Sequence, residues 1–378
     1  MTRRVAYIGI KGLPSKAGVD RVVEAIVQHI DKTHYQPVVY CSSKLVPKEA
    51  QLPGIELVRM PTLPGKHLNA LSLFLFAALH CLFWNNVAFV HLHNVEASFV
   101  LPLLRLRYKV ITTSHGQAQE RDKWGRLAKL LLRCTEYPFI HLSTSVTSVS
   151  EPLAKAYQQQ YHKTVHYVPN GVDPNEVVDC EAALAILQEH QIKPGKFILF
   201  AAGRIMATKG CHLLLEAFRT IDEEIQLVVV GDMSHAPAYE QQLRQLADER
   251  VHFIPFIAAK GTLLGLVRLC QLFVFPSTVE GMSMMLLEVT SMGVPTICSD
   301  IPENVAILPP QTLFFASENV ADLCAKVRWA LGHQEQMQAS AKAIQQWVQE
   351  NYRWCTIINQ YSSLYSTLEG SAKEGELS

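Results

Sequence analysis

The sequence predicts an α/β protein built from two domains, each with a doubly wound parallel sheet. Short apolar runs of strand length alternate along the chain with longer segments of helical period, and this alternation is typical of parallel βαβ units. A chain of 378 residues is too long for one ordinary hydrophobic core, so its length favours two domains. The hydrophobic fraction of 49% indicates that each domain buries ample apolar surface.

The first array of elements fills residues 1–175, which we interpret as the N-terminal domain. Apolar runs predict strands at 4–10, 36–41, 55–60, 88–92, 109–113, 145–149 and 165–168. Segments of helical period between these strands predict helices near 19–31, 69–84, 97–106, 123–135 and 151–160.

The second array fills residues 176–350, and the domain boundary is expected between 170 and 195. Its predicted strands are 197–201, 226–230, 251–256, 272–275, 295–298 and 313–315. Its predicted helices are 210–220, 237–248, 260–270, 283–292, 319–332 and 336–350. A last helix at 354–367 and a polar tail, EGSAKEGELS, fall in the segment 351–378, and the tail is predicted to be disordered.

Composition argues against several classes of function. The 34 basic residues balance the 34 acidic ones, so no bulk field recruits nucleic acid or an anionic membrane. The nine cysteines are scattered without CxxC pairs, and we expect reduced core residues rather than disulfides or zinc ligands. The N-terminal MTRRVAYIGI has too short an apolar run for a signal peptide, which favours a cytoplasmic protein.

Two glutamates, Glu280 and Glu288, bracket the segment EGMSMMLLE directly after the predicted strand LFVFP. Ser283 can cap the helix that follows, which places Glu280 in the strand-to-helix loop and Glu288 inside the helix. Ligands of open α/β sheets bind beyond the strand C-termini, where free helix amides favour phosphate. Glu288 could then accept hydrogen bonds from ribose and Glu280 from sugar hydroxyls, which suggests a nucleotide-sugar site. The alternative is a pair of solvated acids at a helix end.

Two cations follow another predicted strand in FILFAAGRIMATKGCHLLLEAFRT at 197–220. The loop opens at Gly203, and Thr208 is the expected cap of the next helix. Arg204 and Lys209 lie in this loop, where a planar guanidinium, an ammonium and helix amides suit a pyrophosphate. The alternative is that both are solvated surface residues.

The chain resembles the retaining glycosyltransferases of the GT-B fold, family 4 type. In the C-terminal half the resemblance is carried by GRIMATKG, by VVVGD at 228–232 and by STVEGMSMMLLEVTSMGVPTICSDIPEN at 277–304. In the N-terminal half it is carried by YIGIKGLPSKAGVDRVVEAI, HLHN, HGQAQERDKWGRLAKL and PNGVD. KWGRLAKL and the EN of SDIPEN are typical of bacterial, rhamnosyltransferase-like enzymes that build polysaccharides. The resemblance implies two Rossmann-like domains facing a central cleft, with the C-terminal helix crossing back to the first.

The resemblance also implies the reaction. A sugar would move from a UDP-, GDP- or dTDP-linked donor to a glycan or lipid-linked glycan, with retention of configuration and without a cofactor. Arg204 and Lys209 would neutralise the leaving diphosphate, because no acidic-x-acidic pair suited to a metal is present. Glu280 and His115 would hold the transferred sugar. The donor pocket would be lined by Gly203, Phe256, Gly281, Met282, Ser283, Met284 and Glu288.

The glycine-rich connection after strand 4–10 departs from the family pattern. The resemblance implies that this loop, with Gly18 and Val19, approaches the donor phosphate or the acceptor, whereas a glycine turn without a ligand is the alternative. The family usually has two adjacent glycines where this chain has Gly18 and Val19. Phe256 likewise stands where a glycine is frequent, and MSMM replaces a common Gly-Leu-Pro pattern after Gly281.

Histidines occur near two predicted strand ends. His115 follows the strand KVITT, and a purely structural role is the alternative to its implied contact with the sugar. His91 and His93 alternate around Leu92 but lack a carboxylate partner at ligand spacing, so no metal site is predicted there. We interpret them as strand-edge residues, with Asn94 lining the cleft.

The segment LNALSLFLFAALHCLFW at 68–84 is strongly apolar. It is shorter than the roughly 20 residues that a membrane span needs, and His80 interrupts it, so a buried helix is the favoured interpretation. An in-plane membrane helix is the alternative, because a lipid-linked acceptor would bring the enzyme to a bilayer. Two other functions also stay open on this fold: a nucleotide-sugar epimerase or hydrolase, and a non-catalytic nucleotide-sugar-binding protein.

Overall fold

The structure is a computed structural model that describes residues 2–14, 18–65, 68–116, 135–221 and 224–373. The chain divides into two compact units. Unit 1 comprises the described residues of Met1–Asn170 and Trp354–Ser378, and unit 2 comprises those of Gly171–Arg353. Each unit contains one parallel sheet, which confirms the predicted fold class of two Rossmann-like domains.

The sheet of unit 1 has seven parallel strands in the order β3-β2-β1-β4-β5-β6-β7. In chain order they are Arg3–Ile8, Tyr35–Ser42, Glu56–Met60, Phe89–His93, Val110–Ser114, Ser145–Ser148 and His166–Tyr167. The order reverses between β1 and β4, and such a reversal opens a crevice at the strand C-termini where ligands of this fold bind. The ends of β1, β4 and β5 are therefore the place to look for ligand contacts in unit 1.

The helices of unit 1 are α1 to α4 and the C-terminal α13. Their bounds are Gly18–His29, Leu68–Trp84, Leu101–Leu104, Glu151–Tyr161 and Trp354–Lys373, with further helical residues at 135–141. The single helix predicted at 97–106 is instead a 3-10 helix, Val95–Val100, followed by one α turn. Pro102 lies in the first turn of that α segment, where its missing N–H costs nothing. Most of the helix predicted at 123–135 lies outside the described residues.

The sheet of unit 2 has six parallel strands in the order β10-β9-β8-β11-β12-β13. From β8 they are Phe197–Arg204, Gln226–Asp232, Val251–Ile254, Leu272–Phe275, Thr296–Ser299 and Leu313–Phe315. The helices α5 to α12 are Cys180–Glu189, Cys211–Phe218, Pro237–Leu246, Lys260–Leu269, Met284–Ser291, Pro302–Ile307, Val320–Gly332 and Gln334–Asn351. The strand order is again that of a doubly wound sheet, and its switch point lies between β8 and β11.

Three further helices differ from the sequence prediction. The helix α5 was not predicted, because it lies in the segment interpreted as the domain boundary. The Asp179 side chain caps it by accepting from Ala182 N at 3.0 Å, and an aspartate at this position is a common start of a helix. The short α10 was not predicted at all. The helix α13 continues to Lys373, so the predicted disordered tail is wrong for 369–373, and the rest of that tail lies outside the described residues.

The C-terminal helix α13 is part of unit 1 through buried aromatic contacts. The Tyr365 ring is fully buried and lies 4.9 Å from that of Phe89 in β4, measured between centroids. Its hydroxyl pairs with Tyr7 Oη at 3.1 Å and with His91 Nδ1 at 2.8 Å. Burial of these polar groups is tolerated because they are hydrogen-bonded to one another.

The apolar helix α2 is buried on one face only. Seven residues of this helix are buried against the sheet side, but Phe83 and Trp84 are 65% and 74% exposed, and Leu68 and Leu71 are also exposed. The prediction of a buried helix is therefore wrong for its outer face. Among the residues that the structure describes, no helix is both long and apolar enough to cross a bilayer.

Candidate functional site

The end of β8 carries the first predicted cation. Arg204 is the last residue of this strand rather than a loop residue, and it pairs in register with Asp232 of β9 after an irregularity at 201–204. Its side chain is exposed. The pKa of Asp232 is lowered, chiefly by hydrogen bonds from Ser234 and to a smaller extent by the charges of His235 and Arg204. Arg204 therefore presents a solvent-accessible guanidinium at the C-terminal edge of the sheet.

The loops after β8 and β11 are joined to each other. Thr278 N donates to Thr208 O at 2.9 Å. Gly210 has φ +68°, and a Cβ there would lie 1.9 Å from Pro276 O, so only glycine lets the start of α6 approach this carbonyl. Gly210 is also the N-cap of α6, and Thr208, the predicted cap, lies in a preceding 3-10 turn. That part of the prediction is wrong, because the turn inserts two residues before the helix begins.

Two of the predicted charged residues meet across these loops. Lys209 Nζ lies 2.6 Å from Glu280 Oε1, and the two side chains are 29% and 9% exposed. A largely desolvated ion pair of this kind keeps both groups in a fixed place at the strand ends. It also provides an ammonium and a carboxylate side by side, which suits a ligand with both a phosphate and hydroxyl groups.

Glu288 is buried in the helix after this loop, with only 4% of its side chain exposed. The Ser283 side chain caps α9 by accepting from Leu286 N at 3.2 Å, as predicted. Lys260, the first residue of α8, places Nζ 2.9 Å from Glu288 Oε1 and also pairs with Glu176. The sequence reasoning missed both Lys260 and Glu176, and neither residue lies in a recognisable motif.

A buried polar cluster supports the β11 loop from behind. Ser299 Oγ, at the end of β12, donates to Ser277 O at 2.5 Å. Asn304 Nδ2 donates to Ser299 O at 3.0 Å, and Asn304 is almost completely buried. The loop that carries Glu280 is therefore fixed to its neighbouring strand, and the EN of SDIPEN supplies one of the residues that fix it.

The predicted donor-pocket residues lie in two places within unit 2. Phe256, 43% exposed, stands over Gly203, since a Cβ on Gly203 would come within 3.9 Å of the Phe256 ring. Met282 is buried, and the remaining residues of the set are half-buried around the start of α9: Gly281, Ser283 and Met284. An aromatic ring beside a glycine at the strand edge offers a flat surface on which a planar ring could stack.

Unit 1 contains the other predicted residues. His115 follows β5, is 9% exposed, and places Nε2 3.0 Å from Nδ1 of His93, the last residue of β4. The β1 end approaches the same point, because a Cβ on Gly9 would lie 1.9 Å from His93 O. Asn94 adopts φ +72° and donates from Nδ2 to Gly9 O at 2.8 Å. A positive φ in a residue other than glycine is common at functional sites.

His91 and His93 are fully buried residues of β4. Burial lowers the pKa of His91 to about 3 and that of His93 well below its usual value, so both rings are neutral. His91 Nε2 pairs with Thr113 Oγ1 at 2.6 Å. His93, as the last residue of β4, lies at the strand end as interpreted, whereas His91 lies inside the strand.

The glycine-rich loop reaches α1 through Asp20. Lys11 N donates to Asp20 Oδ1 at 3.1 Å, and Asp20 is 5% exposed. Gly18 is exposed and Val19 half-buried at the first two positions of α1. Nothing in the sequence indicated that Asp20 fixes this loop. Within the described ranges, no group of three or more His, Cys, Asp or Glu side chains could hold a metal ion.

Both halves of the chain match glycosyltransferase families. Residues 17–176 match Glycosyltransferase Family 4, and residues 184–347 match Glycosyl transferases group 1. The O-antigen biosynthesis glycosyltransferase WclY of Escherichia coli is 23% identical over 273 residues, which cover 70% of this chain and 74% of that protein. The uncharacterized glycosyltransferase YqgM of Bacillus subtilis is 24% identical over 298 residues, or 74% of this chain and 77% of that protein.

Solved structures share the fold over almost the whole chain. Sucrose-phosphate synthase from Thermosynechococcus elongatus superposes with a TM-score of 0.81 at 18% identity, covering 98% of this chain and 100% of that one. Anabaena HepE in complex with UDP-glucose has a TM-score of 0.79 at 14% identity, covering 97% and 100%. With a family 4 match in its N-terminal half, a group 1 match in its C-terminal half and this architecture throughout, the chain is a glycosyltransferase of the GT-B fold.

Proposed function

We propose that this glycosyltransferase moves a sugar from a nucleotide-diphosphate donor to a glycan or lipid-linked glycan in polysaccharide biosynthesis, with retention of configuration. The observation that carries the proposal is the Lys209 and Glu280 pair, which unites the loops after β8 and β11. The names of two similar proteins support it: one is an O-antigen biosynthesis enzyme, and the other binds UDP-glucose. A UDP-, GDP- or dTDP-linked sugar fits the same chemistry.

The diphosphate is the group that the two cations would bind. Arg204 offers a planar fork and Lys209 a point charge, and both lie at strand C-termini where phosphate is favoured. During transfer negative charge grows on the leaving diphosphate, and fixed cations stabilise that charge without a metal ion. We therefore propose metal-independent transfer.

The nucleoside would be held by Glu288 and Phe256. A carboxylate can accept hydrogen bonds from both ribose hydroxyls, and Lys260 keeps the buried Glu288 side chain compensated by an opposite charge. The exposed Phe256 ring beside Gly203 provides a stacking surface for the base. Gly281, Met282, Ser283 and Met284 would line the donor pocket near the start of α9.

The transferred sugar would contact Glu280 and His115. In the retaining route the acceptor hydroxyl attacks on the face that the diphosphate leaves, so no protein nucleophile is required. The protein then contributes positioning and stabilisation of the leaving group. Gly18 and Val19, at the start of α1, are proposed to approach the donor phosphate or the acceptor.

A thermal-shift panel of UDP, GDP, dTDP and their sugars tests the donor assignment. A ligand that binds only the folded state raises Tm by mass action, so one nucleotide series should raise Tm and the others should not. Glu288→Ala should abolish the rise in Tm. The control is Glu240→Ala, which removes an exposed ion pair with Arg244 on α7 and should keep that rise. The absence of any shift with a folded protein would refute nucleotide-sugar binding altogether.

Product analysis separates transfer from the other two activities. With a donor and a glycan acceptor we expect a new glycoside and free nucleoside diphosphate. A changed sugar on an intact nucleotide would instead show an epimerase, and free sugar without acceptor dependence would show a hydrolase. Binding of the nucleotide sugar with no turnover at all would show a non-catalytic protein.

We also propose that the outer face of α2 makes peripheral contact with the inner face of the membrane. Phe83 and Trp84 are exposed at its end, and Arg107 Nη1 donates to Leu82 O at 2.6 Å, which holds the turn at 105–107 beside them. That turn adds Leu106, 76% exposed, together with two exposed arginines. Aromatic and aliphatic side chains flanked by cations are typical of surfaces that enter the interface of an anionic bilayer.

Vesicle sedimentation tests this surface. The wild-type protein should sediment with vesicles that contain anionic lipid and much less with purely zwitterionic vesicles. Phe83→Ser combined with Trp84→Ser should abolish sedimentation, whereas Val177→Ser, which changes an equally exposed apolar residue of unit 2, should not. Equal sedimentation of the double variant and the wild type would exclude α2 as the contact. A cytoplasmic location follows from the same proposal.

A further inference from the structure

Two buried histidines at the ends of β4 and β5 share one hydrogen bond. His93 Nδ1 and His115 Nε2 lie 3.0 Å apart. One of these nitrogens must therefore carry the hydrogen and the other must accept it. Because the two rings of a histidine pair can satisfy this contact in two ways, the direction of the bond decides which nitrogen of His115 carries the hydrogen.

The other nitrogen of His93 fixes that direction. His93 is fully buried, and its Nε2 has no hydrogen-bond partner among the described residues. Burial also keeps the ring neutral, so it carries a single N–H. An N–H buried without an acceptor is rarer in proteins than an acceptor left without a donor. The hydrogen of His93 is therefore placed on Nδ1, where it forms the hydrogen bond to His115. The lone pair of the ring is then on Nε2.

We propose that His93 is a positioning residue that fixes the tautomer of His115, so that His115 carries its hydrogen on Nδ1. With Nε2 of His115 accepting from His93, the neutral ring of His115 donates from Nδ1. The ligand group it suits is an acceptor, such as a sugar hydroxyl or a phosphate oxygen. The ligand identity rests on the proposed function, but the tautomer does not.

The surroundings of His93 hold the ring in this orientation. The ring stacks on that of Tyr7 with centroids 6.1 Å apart, and it packs against the His91 ring at 4.1 Å. Both nitrogens of His91 are occupied, by Tyr365 Oη and by Thr113 Oγ1. His91 therefore offers no acceptor that would favour the hydrogen on His93 Nε2.

Nitrogen NMR of the full chain tests the tautomer without any substrate. In a long-range proton–nitrogen spectrum of histidine-labelled protein, the N–H and bare nitrogens of a neutral imidazole have distinct chemical shifts. The His115 signals are assigned by their loss in His115→Gln. We expect His115 to be protonated on Nδ1 and bare on Nε2. Finding the hydrogen on Nε2, or on both nitrogens near neutral pH, overturns the proposal.

Substitution of His93 provides the second test. His93→Asn keeps an amide donor at the Nδ1 position, so the His115 tautomer should stay unchanged, with kcat within about threefold of wild type. His93→Asp offers only acceptors and should move the hydrogen of His115 to Nε2, with kcat reduced by about tenfold or more. The Kd of the bare nucleoside diphosphate should be the same in both variants. An unchanged His115 spectrum in His93→Asp contradicts control by His93.

These results are distinguishable from a failure of the proposed function. If no transfer activity is found for any donor, the NMR arm still decides the tautomer. Circular dichroism and thermal unfolding show whether each variant folds. If a variant does not fold, the spectrum of the wild-type protein alone decides the tautomer of His115. A merely structural role for His93 would lower Tm in His93→Asp but would leave the His115 hydrogen on Nδ1.

Discussion

The Lys209 ammonium lies 2.6 Å from Glu280 Oε1, and this contact joins residues that are 71 positions apart in the sequence. It forms because β8 and β11 are neighbours at the switch point of the second sheet. The pair means that the two residues cannot be treated as independent ligands. Removing either one leaves the other as a partly desolvated charge without its partner.

Arg204→Ala and Lys209→Ala should each lower kcat/KM by roughly a hundredfold or more, because each removes a charge that stabilises the leaving diphosphate. Steady-state kinetics with the identified donor measures the effect. Arg244→Ala is the matched control, since this arginine forms an exposed ion pair with Glu240 on α7 and its loss should leave turnover unchanged. Near-wild-type turnover in either site variant would remove that residue from the site.

Transfer should continue in the presence of EDTA. In the proposed site, Arg204 and Lys209 of unit 2 supply the positive charge that stabilises the leaving diphosphate, so the reaction should need no divalent ion. Initial rates are compared with and without the chelator, and then after magnesium or manganese is restored. Loss of activity that either metal restores would show that the diphosphate chemistry has been assigned wrongly.

The strands of both sheets could be predicted because buried parallel strands are short, nearly continuous apolar runs. β11 consists entirely of buried apolar residues and stands out in the sequence. The outer face of α2 could not be predicted in the same way. A helix that is apolar on all sides does not reveal by its sequence which side faces solvent.

The candidate site could be predicted as a set of residues but not as a set of contacts. Glu280, Glu288, Arg204 and Lys209 were identified from their places after strands. Their partners depend on which strands lie side by side, and pairs such as Lys260 with Glu176, 84 positions apart, leave no local pattern. The 3-10 turn before α6 also escaped prediction, because Thr208 is an equally good cap by composition.

Gly210→Ala should destabilise the protein by more than Gly195→Ala. Both glycines have a positive φ, near 70°, so both substitutions carry the left-handed backbone cost of about 1–2 kcal/mol. Only at Gly210 would the new Cβ collide with a backbone carbonyl, that of Pro276, whereas no atom lies within 4 Å at Gly195. Urea unfolding of both variants measures the difference in their free energies of unfolding. Equal unfolding midpoints would show that the loop after β11 moves aside without destabilising the protein.

Lys260→Met should weaken binding of the nucleoside diphosphate by about tenfold or more, because it removes the positive charge that contacts the buried Glu288 carboxylate. Glu176→Gln is the matched variant. It removes the other partner of Lys260 and keeps the contact with Glu288, so nucleotide affinity should stay near that of the wild type. Isothermal titration with the bare nucleotide measures both. The opposite ranking would place Glu176, and not Glu288, at the nucleotide.

The two glutamates should differ in which part of the donor they affect. If Glu288 accepts from ribose, Glu288→Gln should weaken binding of the bare nucleoside diphosphate, because a neutral amide is a poorer acceptor than a carboxylate. If Glu280 holds the sugar, Glu280→Gln should leave bare-nucleotide affinity nearly unchanged and lower kcat, since the lost contact strengthens toward the transition state. In Glu280→Gln the ion pair with Lys209 is lost, but the Lys209 ammonium stays available to the diphosphate. Titration of both variants with the nucleotide and with the intact donor measures the split, and equal weakening of nucleotide binding by both substitutions would refute the separate roles.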